Sequence, residues 1–110
     1  MIVEERSYTL VIGKVPEYLR LYEEFGLEIQ TEVLGNMLGY FSTEFGTLNQ
    51  IVHLWGYEGL EERTRRRAKL LAHPDWQAYT PKVRPLILHQ ENRLLVPTPF
   101  SPIGGSDASG

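Results

Sequence analysis

An α+β fold, with four antiparallel strands and two helices packed on one side of the sheet, is predicted by three observations. Asn36–Tyr57 holds two runs dense in aromatic and β-branched residues around Gly46-Thr47-Leu48, the composition of a β-hairpin. On either side of it, Val15–Leu34 and Gly59–Ala72 carry apolar residues at helical spacing. At the two ends, Ile2–Ile12 and Leu86–Leu95 alternate as strands do. The order β-α-β-β-α-β is the split βαβ, or ferredoxin-like, arrangement.

Each element has its own justification. In the first strand Ile2, Glu4, Arg6, Tyr8, Leu10 and Ile12 share one face, and Gly13 ends the run. Pro16 then falls in a first helical turn, where a missing N–H costs nothing. Tyr18, Leu19, Tyr22, Phe25, Ile29 and Val33 form the apolar stripe of the first helix, and Gly35 supplies a stop. Gly26 inside that helix costs about 1 kcal/mol relative to Ala, so a kink or a close packing contact is expected there.

The hairpin places Leu38, Tyr40, Ser42 and Glu44 on one face and Met37, Gly39, Phe41, Thr43 and Phe45 on the other. Its second strand sets Asn49, Ile51, His53, Trp55 and Tyr57 against Gln50, Val52, Leu54 and Gly56. In the second helix Leu60, Thr64, Ala68 and Leu71 make a narrow inner stripe, with Glu61 and Glu62 four residues ahead of Arg65 and Arg66. His73-Pro74-Asp75 breaks it, and Asp75–Tyr79 adds a short helical stretch ended by Pro81. On the last strand Ile87, His89, Glu91 and Arg93 share a face. Residues 1–97 make up one domain; 98–110, rich in Pro, Gly and Ser, is expected to be a disordered tail.

Composition narrows the function classes. At 110 residues, 42% hydrophobic and 23% charged, the chain suits a single soluble domain with a modest core. It contains no apolar run of membrane-spanning length and no signal-peptide core, so no membrane association is expected. The absence of cysteine excludes disulfides and thiolate chemistry and fits a cytoplasmic location. A net charge of −3 argues against nucleic acid as a partner. His53, His73 and His89 lack metal-ligand spacing, and there is no Gly-rich phosphate loop, so neither metal nor cofactor is expected. The face of the sheet left open by the helices would show Val3, Val11, Met37, Phe41, Phe45, Val52, Leu54, Leu86 and Leu88, which predicts a homodimer formed sheet to sheet.

Glu5-Arg6-Ser7-Tyr8-Thr9-Leu10, Leu38-Gly39-Tyr40-Phe41 with Thr43-Glu44, and Leu48-Asn49-Gln50-Ile51-Val52-His53-Leu54-Trp55 with Tyr57 resemble the NIPSNAP family. Arg63, Arg66-Arg67, Pro74 with Trp76, and Glu91, Leu94-Leu95 and Pro97 extend the resemblance over roughly residues 2–97. It implies the dimeric α/β-barrel superfamily, with a pocket between each subunit's own sheet and helices. Haem-degrading relatives use an Asn, a Trp and a His. Trp55 stands at the Trp position, but Arg6 replaces the Asn and no His lies near Thr80, which argues against haem degradation.

The residues expected to converge under the helices are Arg6, Tyr8, Tyr40, Glu44, His53, Trp55, His89 and Glu91, with Arg63 and Arg67 at the mouth for an anionic ligand. His53 is the candidate general base. The bland alternative is a core in which Tyr40 and Trp55 simply pack and Arg6 pairs with Glu44 or Glu91. Three functions follow: a binder of a small anionic or aromatic molecule, with or without catalysis; a cofactor-independent monooxygenase of the superfamily type; or an interaction protein without an active site.

Overall fold

A computed structural model describes residues 1–106 and shows the ferredoxin-like fold. Its elements are β1 (Ile2–Leu10), α1 (Val15–Leu21), a π-helical turn (Tyr22–Gly26), α2 (Leu27–Leu34), β2 (Asn36–Ser42), β3 (Gln50–Tyr57), α3 (Leu60–Ala72), α4 (Pro74–Val83), a 3₁₀ turn (Arg84–Leu86) and β4 (Ile87–Leu95). The four strands pair antiparallel in the order β2-β3-β1-β4. Residues on β1 and β3 face the way simple alternation says. Glu4, Tyr8 and Leu10 on β1, and Ile51, His53, Trp55 and Tyr57 on β3, are buried under the helices.

The two outer strands depart from it, each through one extra residue that reverses the alternation beyond it. On β4, Leu10 pairs with Ile87 but Thr9 pairs with His89, leaving Leu88 as the extra residue. From there Gln90, Asn92 and Leu94 lie opposite Tyr8, Arg6 and Glu4, while His89 and Glu91 go to the open face. On β2, Met37 pairs with Trp55 and Gly39 with Leu54, so Met37 turns inward and packs on the core. The hairpin connection is also longer than expected. Pairing stops at Ser42 and resumes at Gln50, with Asn49 at a positive φ of 60°. Thr43–Asn49 is therefore a loop that carries Glu44 and Phe45 out to solvent.

The apolar open face shrinks accordingly. Met37 and Leu86 belong to the core, Phe45 sits on the loop, and Val11 lies past the end of β1. Val3 is buried beside Gly56, which Met1 closely approaches. Phe41, at 55% exposure, remains on that face with half-buried Val52 and Leu54, beside an Arg93–Glu5 ion pair. Residues 98–106 form successive hydrogen-bonded turns, with Gly104 against Met1 and Pro97. The rest of the expected tail, residues 107–110, lies outside the described residues.

Both helical segments contain a correction. The first is a single run interrupted by the π turn that ends at Gly26. A Cβ on Gly26 would come within 2.9 Å of Tyr79 Cζ and 3.0 Å of Tyr22 Cδ1, so the close contact expected there is real. Gly26→Val is accordingly expected to cost about 1–3 kcal/mol, measurable by urea denaturation, because neither ring can retreat through packed neighbours. A variant as stable as the parent would show that the rings yield.

In α3 the expected inner stripe points outward. Leu60 and Leu71 are 58% and 57% exposed, and Thr64 and Ala68 are exposed too. The inward side holds Leu70 and the half-buried Arg63, Arg66 and Arg67. Arg66 Nη1 donates to the Val33 carbonyl at 3.0 Å, satisfying an acceptor in the last turn of α2, and Arg66 Nε donates to Glu62 at 3.2 Å. After His73, whose Nδ1 accepts from the Asp75 N–H, α4 runs on through Pro81 to Val83. It buries Tyr79 and Val83.

Candidate functional site

β1 delivers an alternating row of Glu4, Arg6 and Tyr8 to the centre of the helix-covered face, and its chemistry begins with Glu4. This carboxylate is only 3% exposed. Its Oε2 accepts from Arg6 Nη1 at 3.0 Å, Arg63 Nη2 at 2.9 Å and Asn92 Nδ2 at 2.8 Å; Oε1 accepts from Arg63 Nε at 3.2 Å. Burial pushes the carboxyl up, but the bonds from Arg63 and Asn92 and the charge of Arg6 outweigh it and hold it at about 2. Arg6 therefore pairs with Glu4, not with Glu44 or Glu91, and its Nε donates to the Tyr8 hydroxyl at 3.1 Å. Arg63 of α3 turns inward because a buried carboxylate needs a cation, and it reaches down to Glu4.

Beside this network an aromatic assembly fills the core. Tyr18 and Tyr40 share a hydroxyl–hydroxyl bond of 2.9 Å, and Tyr22 Oη donates to Gln30 Oε1 at 2.6 Å. Tyr22 stacks on Tyr40 with centroids 4.6 Å apart, and Tyr40 on His53 at 4.7 Å. Burial pushes the hydroxyl groups of Tyr18, Tyr22, Tyr40 and Tyr79 up, so all four stay protonated.

His53 is 1% exposed. Its Nδ1 accepts from Trp55 Nε1 at 2.6 Å, which puts the proton of the neutral ring on Nε2. Burial, then the charge of Arg6, lowers its pKa to about 3. Neither nitrogen offers a lone pair to a bound molecule, so the geometry makes His53 an acceptor for Trp55 rather than a general base. Nε2 has no hydrogen-bond partner among the described residues.

A cavity of about 650 Å³ lies between the sheet and the helices, toward β1 and β4. Its walls come from Tyr8 of β1, Tyr18 and Tyr22 of the first helical run, and Trp76 and Tyr79 of α4; Arg6 and Arg67 supply charge. Gln30, Thr80 and Gln90 add polar groups, Arg84 an exposed guanidinium, and His89 stands at the rim. Of the residues expected from sequence, the cavity brings together Arg6, Tyr8 and Arg67; His89 borders it from β4 with its side chain toward Glu91 on the open face. Tyr40, His53 and Trp55 stand behind its wall in the core, and Arg63 is engaged with Glu4. Glu44 lies on the hairpin loop and Glu91 on the open face, both exposed and away from the cavity. The residues missed were the tyrosines of the first helix and Trp76 and Tyr79 of α4. The apolar stripe did contain Tyr18 and Tyr22; nothing local distinguishes a tyrosine that lines a cavity from one that fills a core.

Fold and site together define a ferredoxin-like domain with an aromatic-lined cavity on the helix side of its sheet. The family model described as NIPSNAP matches residues 3–102, and the chain belongs to the NIPSNAP family. A crystal structure of a NIPSNAP-like domain protein from Burkholderia xenovorans is similar at 51% identity and TM-score 0.90, covering 92% of this chain and 88% of that one. NipSnap homolog 2 of Danio rerio is 33% identical over 93% of this chain, which spans 35% of that relative's length. An antibiotic biosynthesis monooxygenase shares the fold at 12% identity and TM-score 0.61, over 89% of this chain and 99% of that one. Among the described residues no helix is long and apolar enough to cross a membrane, and no group of His, Cys, Asp and Glu is arranged to hold a metal ion.

Proposed function

We propose that this domain binds a small organic molecule in the cavity between sheet and helices, once in each subunit of a homodimer built through the open sheet face. The observation that carries the reading is the cavity itself, about 650 Å³ walled by aromatic rings, with the Arg67 guanidinium at its side. That volume falls within the range of small-molecule sites, and rings with a few polar groups are their usual lining. Hydroxyls, amides and guanidiniums hold a ligand by donating to it; apart from His89 at the rim, the lining has no group suited to taking a proton. Binding is therefore favoured over catalysis. For the dimer, the support is a sheet covered by helices on one side only, with Phe41, Val52 and Leu54 on the other.

Native mass spectrometry of the purified chain, alone and after incubation with an extract of small metabolites, tests both parts. The expected spectrum is a dimer with added mass that is lost on denaturation. A 12.6 kDa monomer at micromolar concentration would overturn the dimer. A species that acquires no mass from the extract would overturn the binding reading.

A further inference from the structure

We propose that the cavity takes an aromatic carboxylate whose carboxyl group pairs with Arg67; this rests on the binding reading above and gives its ligand a chemical class.

Three arginines of α3 are turned toward the interior, and two of them have partners. Arg63 is fixed by both oxygens of Glu4, and Arg66 by Glu62 and the Val33 carbonyl. Arg67 is half-buried and lines the cavity, yet it has no hydrogen bond or ion pair among the described residues. Glu4 attracts it only at a distance, because its Oε2 already accepts from Arg6, Arg63 and Asn92 and its Oε1 from Arg63. A guanidinium drawn out of water without an anion is unfavourable, and a second cation nearby makes it more so. Both effects are present here, since burial first and then the charge of Arg6 lower the Arg67 pKa. Arginine stays protonated in proteins, so an anion is what relieves the strain.

The cavity indicates what carries that anion. The half-buried Trp76 brings ring surface to its walls, backed by the edges of Tyr8, Tyr18, Tyr22 and Tyr79, which suits a flat aromatic body. The volume holds one or two fused rings with a substituent. Arg84, the other guanidinium of the lining without a hydrogen bond or ion pair among the described residues, is exposed to water, so the one half-buried uncommitted guanidinium is Arg67, and it matches one carboxylate through two parallel hydrogen bonds. A phosphate dianion calls for a second cation inside the cavity, and Arg6 has its own carboxylate in Glu4.

Isothermal titration with 1-naphthoate, 1-naphthamide and 1-naphthyl phosphate tests the assignment, on the wild type, Arg67→Gln, Arg67→Lys and the exposed control Arg65→Gln. The wild type is expected to prefer naphthoate over naphthamide by about tenfold or more. Arg67→Gln should bring the two within about twofold, Arg67→Lys should keep part of the preference, and Arg65→Gln should keep all of it. Circular dichroism identifies any variant that has lost the fold; Arg67→Lys then carries the test. Equal binding of naphthoate and naphthamide to the wild type would overturn the carboxylate class and leave the binding reading standing. A preference that survives in folded Arg67→Gln would overturn the role of Arg67. Tighter binding of naphthyl phosphate than of naphthoate would overturn the carboxylate in favour of a phosphate ester. Failure of all three probes to bind would overturn this ligand class; added mass in the native spectrum would still uphold the binding reading.

Discussion

Glu4→Ala is expected to lower the unfolding free energy by about 3–5 kcal/mol, the effect of removing one side of a buried ion pair. The loss exceeds that of an ordinary salt bridge because one carboxylate serves four hydrogen bonds, from Arg6, Arg63 and Asn92. Without it, Arg6 keeps only its bond to the Tyr8 hydroxyl, and α3 loses its tie to the centre of the sheet. Glu24→Ala is the control. It removes an ion pair with Arg20 between two exposed side chains of the first helical run, where solvent screening leaves little to lose. Urea denaturation of both variants checks the comparison, and equal losses would show that the buried network contributes no more than the exposed pair. The same network gives an acid limb. The Glu4 carboxyl titrates at about 2 in the folded chain against 4.5 ordinarily. Its contribution is thus complete above pH 4.5 and disappears as pH falls through 2.

A second acid limb, at higher pH, is expected from His53. The unfolded chain takes up a proton there near pH 6.5, whereas the folded ring resists until about 3. Between those values the unfolded state binds more protons, so stability falls as pH drops from 6.5 toward 3, by up to about 5 kcal/mol in total. Burial is the main cause, and the Trp55 N–H aimed at Nδ1 adds to it, since protonation there would set one donor against another. His53→Gln keeps a neutral acceptor for the indole and has nothing to titrate. Urea midpoints at pH 7.5, 6.5, 5.5 and 4.5 should decline in the wild type and stay nearly flat in His53→Gln. The same decline in both would place the acid sensitivity at another group.

How much of this was legible differs strand by strand. Arg6, Tyr8, His53 and Trp55 were correctly assigned to the covered face, because β1 as far as Thr9 and β3 throughout pair without interruption and a period of two carries through. His89, Glu91 and Met37 were assigned to the wrong face because Leu38 and Leu88 are each one residue too many for their partner strands. A bulge leaves no mark on composition; it exists only relative to the strand opposite. Glu44 was misplaced for a related reason: an alternating run continues on paper past the point where Asn49 takes a positive φ and pairing stops.

The sequence by itself determined the order of elements, the antiparallel sheet, the family and the inward row of β1, since these depend on periodicity and local composition. Only the tertiary structure decided which side of α3 faces the sheet. The apolar spacing of Leu60, Thr64, Ala68 and Leu71 favoured one side, and Glu4, 59 residues away from Arg63, required the other. A buried carboxylate needs its counter-ions more than the core needs one further leucine. The same long-range pairing divides neighbouring arginines: Arg63 pairs with Glu4, and Arg67, without a hydrogen bond or ion pair among the described residues, is left to line the cavity.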